Sequence, residues 1–187
     1  MSRLLPIVLG LGLCAASAPG ILASRTADLE ARREAIDTMA VDTMDRLFER
    51  TPTSRELYGR AAGFAVFDNF KVSLLLSGGG GVGVAVDKQS GRHTYMQSGS
   101  GGLGLGLGGQ SYQLVLLFET REALARFADS GWQIDAAASA AAGTSGKAAA
   151  ATFTREIAVF QLTNKGLVAQ ADVTGTRYWR ARALNED

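Results

Sequence analysis

Apolar residues along this chain change period part-way. From Thr26 to Arg50, Leu29, Ile36, Met39, Ala40, Thr43, Leu47 and Phe48 recur at three- and four-residue steps among Asp, Glu and Arg, the spacing of one helical face. Asp28 and Glu30 suit the positive end of that helix, Arg46 and Arg50 its negative end. Pro52 predicts its stop, and Thr53-Ser54-Arg55-Glu56 has capping-box spacing for a short second helix carrying Leu57 and Tyr58. Beyond this the period falls to two. Gly63 to Asp68 and Phe70 to Leu76 read as two strands, the second with Phe70, Val72, Leu74 and Leu76 on one face and Lys71, Ser73 and Leu75 on the other.

Between Ser77 and Gly109 two glycine-dense runs keep the same alternation, with Val82, Val84 and Val86 in the first and Leu103, Leu105 and Leu107 in the second. The positions between are mostly glycine, so each strand would have an aliphatic face and a nearly bare one. Glycine weakens a strand, and a run of it implies a close approach or a sharp bend. Gly78, Gly79, Gly80, Gly81, Gly83, Gly104, Gly106 and Gly108 are therefore read as structural glycines of a tightly curved sheet or small barrel. The competing reading is a phosphate cradle. GxGxxG fits from Gly78, Gly99 and Gly104, but each run continues into strand residues instead of opening a helix. Gly146-Lys147 is followed by Ala148 and has Ala141 where a P-loop needs its first glycine.

Asp87 to Gly91 is expected to turn and Arg92 to Gln97 to return as a strand, with Ser111 to Phe118 apolar enough to be central. Thr120 to Ser130 predicts a helix capped by Thr120, with Leu124, Phe127 and Ala128 as its stripe and Gly131 as its stop. Asp135 to Ala151 is helical by propensity, although small side chains also suit a crowded strand. Thr152 to Leu162, a turn at Asn164-Lys165-Gly166, Leu167 to Thr174 and Thr176 to Ala183 read as a closing antiparallel meander. The expected class is α+β: a curved antiparallel sheet or small barrel, an N-terminal amphipathic helix and one inserted helix.

The 187 residues suit one domain, and a net charge of +1 argues against nucleic acid as partner. Met1 to Ala23 reads as an export signal, with Arg3 ahead of the apolar Leu4 to Ala16, leaving residues 24–187 as the domain and predicting a periplasmic or otherwise exported protein. Cleavage after Ala23 is favoured over Ala16-Ser17-Ala18. Cys14 is the single cysteine; lipoprotein anchoring through it is the lesser expectation, because Leu13 stands where a small residue is usual. Removal beyond Cys14 leaves no thiol.

No catalytic set emerges. His93 lacks the neighbours of a zinc site, no GxSxG or SxxK occurs, and Asp68, Asp87, Glu119, Asp129 and Asp172 fall at the ends of predicted elements. No metal or cofactor is predicted, and hydrolysis would need acids and hydroxyls brought together by folding. The basic residues Arg55, Arg60, Lys71, Lys147, Arg155, Lys165, Arg177, Arg180 and Arg182 offer more. Arg55, Arg60 and Lys71 beside Phe64, Phe67 and Phe70 form a candidate lipid-binding set, cations for an anionic head group and rings for the acyl boundary. Scattered solubilising charge is the alternative.

The order of these pieces resembles the SYLF domain, also called the Ysc84-like family. It is carried by Gly63-Phe64-Ala65-Val66-Phe67, the glycine cluster, Gly109-Gln110, Leu114 to Glu119, and a tail of Asn164-Lys165-Gly166-Leu167-Val168-Ala169, Val173-Thr174-Gly175 and Asn185. Tyr95-Met96 stands where that family usually has Trp-Ser, and Gln170 replaces a glycine. The resemblance implies a non-catalytic lipid-binding domain. With an export signal, the implied partner is an anionic phospholipid or membrane surface of the bacterial envelope, and an envelope protein partner without lipid is the alternative.

Overall fold

A computed structural model of the chain describes residues 19–73, 76–103, 108–130, 153, 155–163, 166–168 and 176–186. Cys14 and most of the expected signal, Gly104, Leu105, Gly106 and Leu107, the alanine-rich 135–151, Lys147, Lys165 and Asp172 lie outside them. The described elements are α1 (Pro19–Arg50), α2 (Thr53–Arg60), β1 (Gly63–Ser73), β2 (Leu76–Asp87), β3 (His93–Leu103), β4 (Gly108–Phe118), α3 (Arg121–Ser130), β5 (Ile157–Thr163), β6 (Gly166–Val168), β7 (Thr176–Arg180) and α4 (Arg182–Asn185).

The class is α+β, and the sheet is curved, antiparallel and open. Its strand order, β6-β5-β4-β1-β2-β3-β7, leaves two edges, so the barrel alternative does not hold. β1 sits in the middle. It is one strand, not the expected two, because it pairs without a break with both β2 and β4; Asn69, which falls between the two expected strands, lies in register between Gly81 and Tyr112. The second glycine run is likewise not one strand: Ser98 to Leu103 end β3, and Gly108 to Gln110 begin β4. The tail is not a simple meander either. β6 pairs with β5 at one edge, whereas β7 crosses to the other and pairs with β3.

Strand alternation divides the core in two. On one face α1, α2 and α4 cover Val66, Val84, Val115, Leu117, Phe160 and Leu162. Ile36, Ala40, Thr43, Met44 and Leu47 of α1 are buried at three- and four-residue steps, the stripe that the sequence predicts. The helix is already present at Pro19, ahead of the expected Thr26. No capping box forms on α2: Thr53 is already helical, and Ser54 Oγ instead donates to the Thr51 carbonyl at 2.6 Å. On the other face α3 covers Ala65, Phe67, Met96, Leu114, Leu116 and Phe118 through Ala123, Leu124 and Phe127. Thr120 caps α3 as expected, its Oγ1 accepting from the Ala123 N–H at 3.2 Å.

Curvature shows in the contacts beneath α3. The rings of Phe67 on β1 and Tyr178 on β7 meet edge-on at 4.7 Å, with β2 and β3 between them. In a flat sheet strands three places apart stand about 14 Å from one another. The face beneath α3 is therefore concave, and Gly83, opposite Phe67, keeps its floor clear.

Candidate functional site

One end of the sheet carries an unusual surface on the face shared with α1. Val84 is buried there, but Val82, Phe70, Val72 and Trp179 are 42%, 52%, 40% and 43% exposed. Register places Gly80 beside Phe70, Gly78 beside Val72 and Gly99 beside Arg177, so large apolar side chains stand on nearly bare backbone. The Phe70 ring lies over Gly109, where a Cβ would meet its Cζ at 3.1 Å, and the Trp179 ring lies over Gly99 at 2.8 Å. Trp179 is held by its indole N–H, which donates to Gln97 Oε1 at 3.2 Å, while its ring faces water. Arg177 is exposed on the same face.

The glycines divide by face. A Cβ on Gly79, Gly81 or Gly83 would strike the carbonyl oxygen of Phe70, Asp68 or Val66 respectively, whereas one on Gly78 or Gly101 would meet open space. Gly79, Gly81 and Gly83 all point to the concave side. There Ser98 Oγ donates to Asn69 Oδ1 at 2.6 Å across β2, and the Gly81 Cβ position abuts both atoms. These glycines let β1 and β2 bend together; the match from Gly78 to Gly83 lies wholly inside β2 and opens no helix, so that phosphate cradle is not formed.

The six expected lipid-binding residues do not form one cluster. Phe67 is fully buried in the concave core and unavailable to any surface. In one strand, residues three apart take opposite faces, so Phe64 and Phe70 share a face that Phe67 leaves. Phe64 lies at the other end of β1 from Phe70, about 20 Å away along the strand. It packs on Tyr58 with a centroid distance of 5.6 Å. Arg55 lies 4.8 Å over the Phe48 ring, and Arg60 lies 5.5 Å over Phe153 and 3.6 Å from Glu119. Those two arginines close an aromatic cluster at the α2 end. Lys71 is half-buried on the concave face, opposite Gly79 and Gln110. Of the six, Phe70 alone belongs to the exposed patch. Val72, Val82, Trp179 and Arg177 were missed as a group, although in Thr176-Arg177-Tyr178-Trp179-Arg180 the alternation already sends Tyr178 and Trp179 to opposite faces.

Several described acidic side chains are held by neighbouring partners. Asp87 takes N–H bonds from Gln89 and Ser90, both at 2.9 Å, and an ion pair from Arg121 at 3.0 Å. These bonds, that from Ser90 foremost, hold its carboxyl below the ordinary carboxylate value against the opposing effect of burial. A cleft of about 260 Å³ beside this pair is lined by Arg92, Thr94, Glu122 and Leu124. Asp68 accepts from Gln113, Asp129 pairs with Arg180, and Glu156 joins Thr120 and Arg126. His93 Nδ1 lies 3.0 Å from Asp37 Oδ1, whose other oxygen accepts from the Tyr95 hydroxyl at 2.8 Å. Burial and the Asp37 charge push the Tyr95 phenol up to about 12. Among the described residues no group of His, Cys, Asp and Glu is placed to hold a metal ion. No described helix is long and apolar enough to cross a membrane.

Residues 99–187 match the Ysc84 family model, described as a Las17-binding protein actin regulator. Beta cell expansion factor A of Aeromonas veronii is similar at 38% identity over 154 residues, covering 82% of this chain. The chain spans 59% of that relative's length.

Proposed function

The chain belongs to the Ysc84, or SYLF-domain, family, and on that premise we propose that it binds phospholipid membrane surfaces, without catalysis, in the bacterial envelope. The observation that carries this reading is the exposure of Phe70, Val72, Val82 and Trp179 together at the glycine-rich end of the sheet. Contiguous large apolar side chains on a surface mark an interaction site. Full burial of a Val or Phe side chain contributes about 1.5–3 kcal/mol, enough for a few of them to hold the protein reversibly at the acyl boundary. Trp179 has the amphipathic build of side chains that settle at head-group depth, and the exposed Arg177 beside it suits an anionic head group. Export through the Met1 to Ala23 segment would bring this surface to an envelope bilayer.

Flotation of the chain with neutral phosphatidylcholine vesicles and with vesicles containing phosphatidylglycerol tests the proposal. Co-flotation, stronger with the anionic lipid and weakened by salt, is expected. Absence of binding to both compositions refutes it and turns the patch toward a protein partner, in line with the Las17-binding description of the family.

A further inference from the structure

Opposite the glycine-rich end of the sheet, the β2–β3 hairpin closes on the side of α3. Strand alternation turns Ala85 and Asp87 of β2, and Arg92 and Thr94 across from them, toward that helix. Ala85 pairs with Thr94, two short side chains, where the row before holds Met96. The helix meets the hairpin with Arg121, Leu124, Ala125 and Ala128, spaced at three and four residues. The short side chains of Ala85, Ala125 and Ala128 leave a gap between helix and hairpin, and that gap is the cleft of about 260 Å³. Ala85, Leu124 and Ala128 are buried and give it an apolar floor. At the share of volume that one water takes in the liquid, about 30 Å³, it holds about nine non-hydrogen atoms, a ligand the size of leucine.

Four charged side chains line this cleft, and two of them are already spent on each other. Arg121 Nε donates to Asp87 Oδ2 and its Nη1 to Gln89 Oε1, both at 3.0 Å. Arg92 on the hairpin and Glu122 on α3 are different: both are exposed, and among the described residues neither has an ion-pair partner, nor do they pair with one another. Arg126, one helical turn beyond Glu122, is turned to Glu156 at 2.6 Å. One small space thus offers a cation from one wall and an anion from the other, over an apolar floor. We propose that the cleft binds a free α-amino acid with an aliphatic side chain, Arg92 donating to its carboxylate, Glu122 accepting from its ammonium group, and the side chain lying on Ala85, Leu124 and Ala128. Such a ligand is neutral overall, as the four side chains are together, and its two charges sit on one carbon. The cleft lies at the other end of the sheet from the Phe70 and Trp179 patch and on the other face, so it stands or fails apart from membrane docking.

The test is a titration of the ¹⁵N-labelled chain with L-leucine, followed through the backbone amides of Thr94 and Ala125 and the Arg92 and Arg121 Nε–H signals. Four further probes each remove one part of the ligand: 4-methylpentanoate lacks the ammonium group, isoamylamine the carboxylate, glycine the side chain, and phosphoethanolamine replaces side chain and carboxylate by a phosphate. Saturable shifts with L-leucine are expected, with about tenfold weaker binding of each other probe for the loss of one charge-assisted contact or of the apolar floor. Arg92→Gln should bring L-leucine down to the level of isoamylamine, and Glu122→Gln to that of 4-methylpentanoate. Both substitutions are at exposed positions, so the fold should be kept. Ala125→Leu should fill the cleft and abolish the shifts, and the two charge variants carry the test if it does not fold. No saturable shift with L-leucine, equal binding of a probe that lacks either charge, tighter binding of phosphoethanolamine, or unchanged affinity in Arg92→Gln and Glu122→Gln overturns the proposal.

Discussion

Ser98 and Asn69 share a 2.6 Å hydrogen bond although a whole strand separates them. The bond passes over Gly81, whose missing side chain is the space it occupies. A residue chosen for absence thus joins three strands through the side chains of two others.

Substituting Gly81 by valine should be severe. Its Cβ would strike the Asp68 carbonyl and Asn69 Oδ1 and come within 2.9 Å of Ser98 Oγ. Backbone must then move, and overpacking of this kind costs about 1–3 kcal/mol or more. Gly78→Ala, with nothing within 4 Å of the added carbon, should be near neutral or slightly stabilising. Urea denaturation of the two variants checks the contrast, and equal costs would show that the faces do not differ.

Trp179→Ser combined with Phe70→Ser should separate binding from folding. Both side chains are largely exposed, so the midpoint of thermal unfolding should stay within a few degrees of wild type. Vesicle association should fall by at least about tenfold, as expected from losing more than 1.4 kcal/mol of apolar insertion. Undiminished flotation of the double variant would place the contact elsewhere.

Stability should fall in acid partly through Asp87. Its folded-state pKa is depressed below the ordinary 3.8, so the unfolded chain binds the proton more readily. The contribution is complete above 3.8 and is lost as pH falls through the lower folded-state value. Asp87→Asn should lower stability at neutral pH, where it removes the Arg121 ion pair, and flatten the acid limb of the stability profile. Denaturant unfolding at a series of pH values reads both effects.

Tyr95 gives the opposite sign at the alkaline end. Its phenol is raised from 10.0 to about 12 by burial and by donation to Asp37. The folded state holds that proton more tightly, so its contribution is complete below 10 and is lost as pH rises through 12. A spectrophotometric tyrosine titration of wild type should contain one late-ionising group that Tyr95→Phe lacks in that range. At neutral pH the variant should be less stable by about 1 kcal/mol, the worth of one lost hydrogen bond.

Local pattern made much of this architecture legible. Alternation at Val82, Val84 and Val86 identified β2, three-four spacing identified α1, and Thr120 located the start of α3. What escaped was long-range. Nothing near Asn69 tells that β1 continues through it, because the reason is its pairing with Gly81 and Tyr112 on two other strands. β7 looked like the neighbour of β6, but its place beside β3 depends on Ser98, Gly99 and Ser100 leaving room for it. The grouping of Phe64, Phe67 and Phe70 failed on the strand period itself, which three-residue spacing violates. The exposed patch draws Trp179 and Phe70 from widely separated stretches of the chain, a proximity that no sequence window spans.

The late residues also fasten early ones. Asn185 exchanges two hydrogen bonds with the Tyr95 backbone, and Arg33 reaches the carbonyls of Leu184 and Glu186. Until residues 176–186 have emerged, β3 has a raw edge and α1 lacks its last tether. A growing polypeptide therefore cannot settle into this arrangement until that stretch has been made.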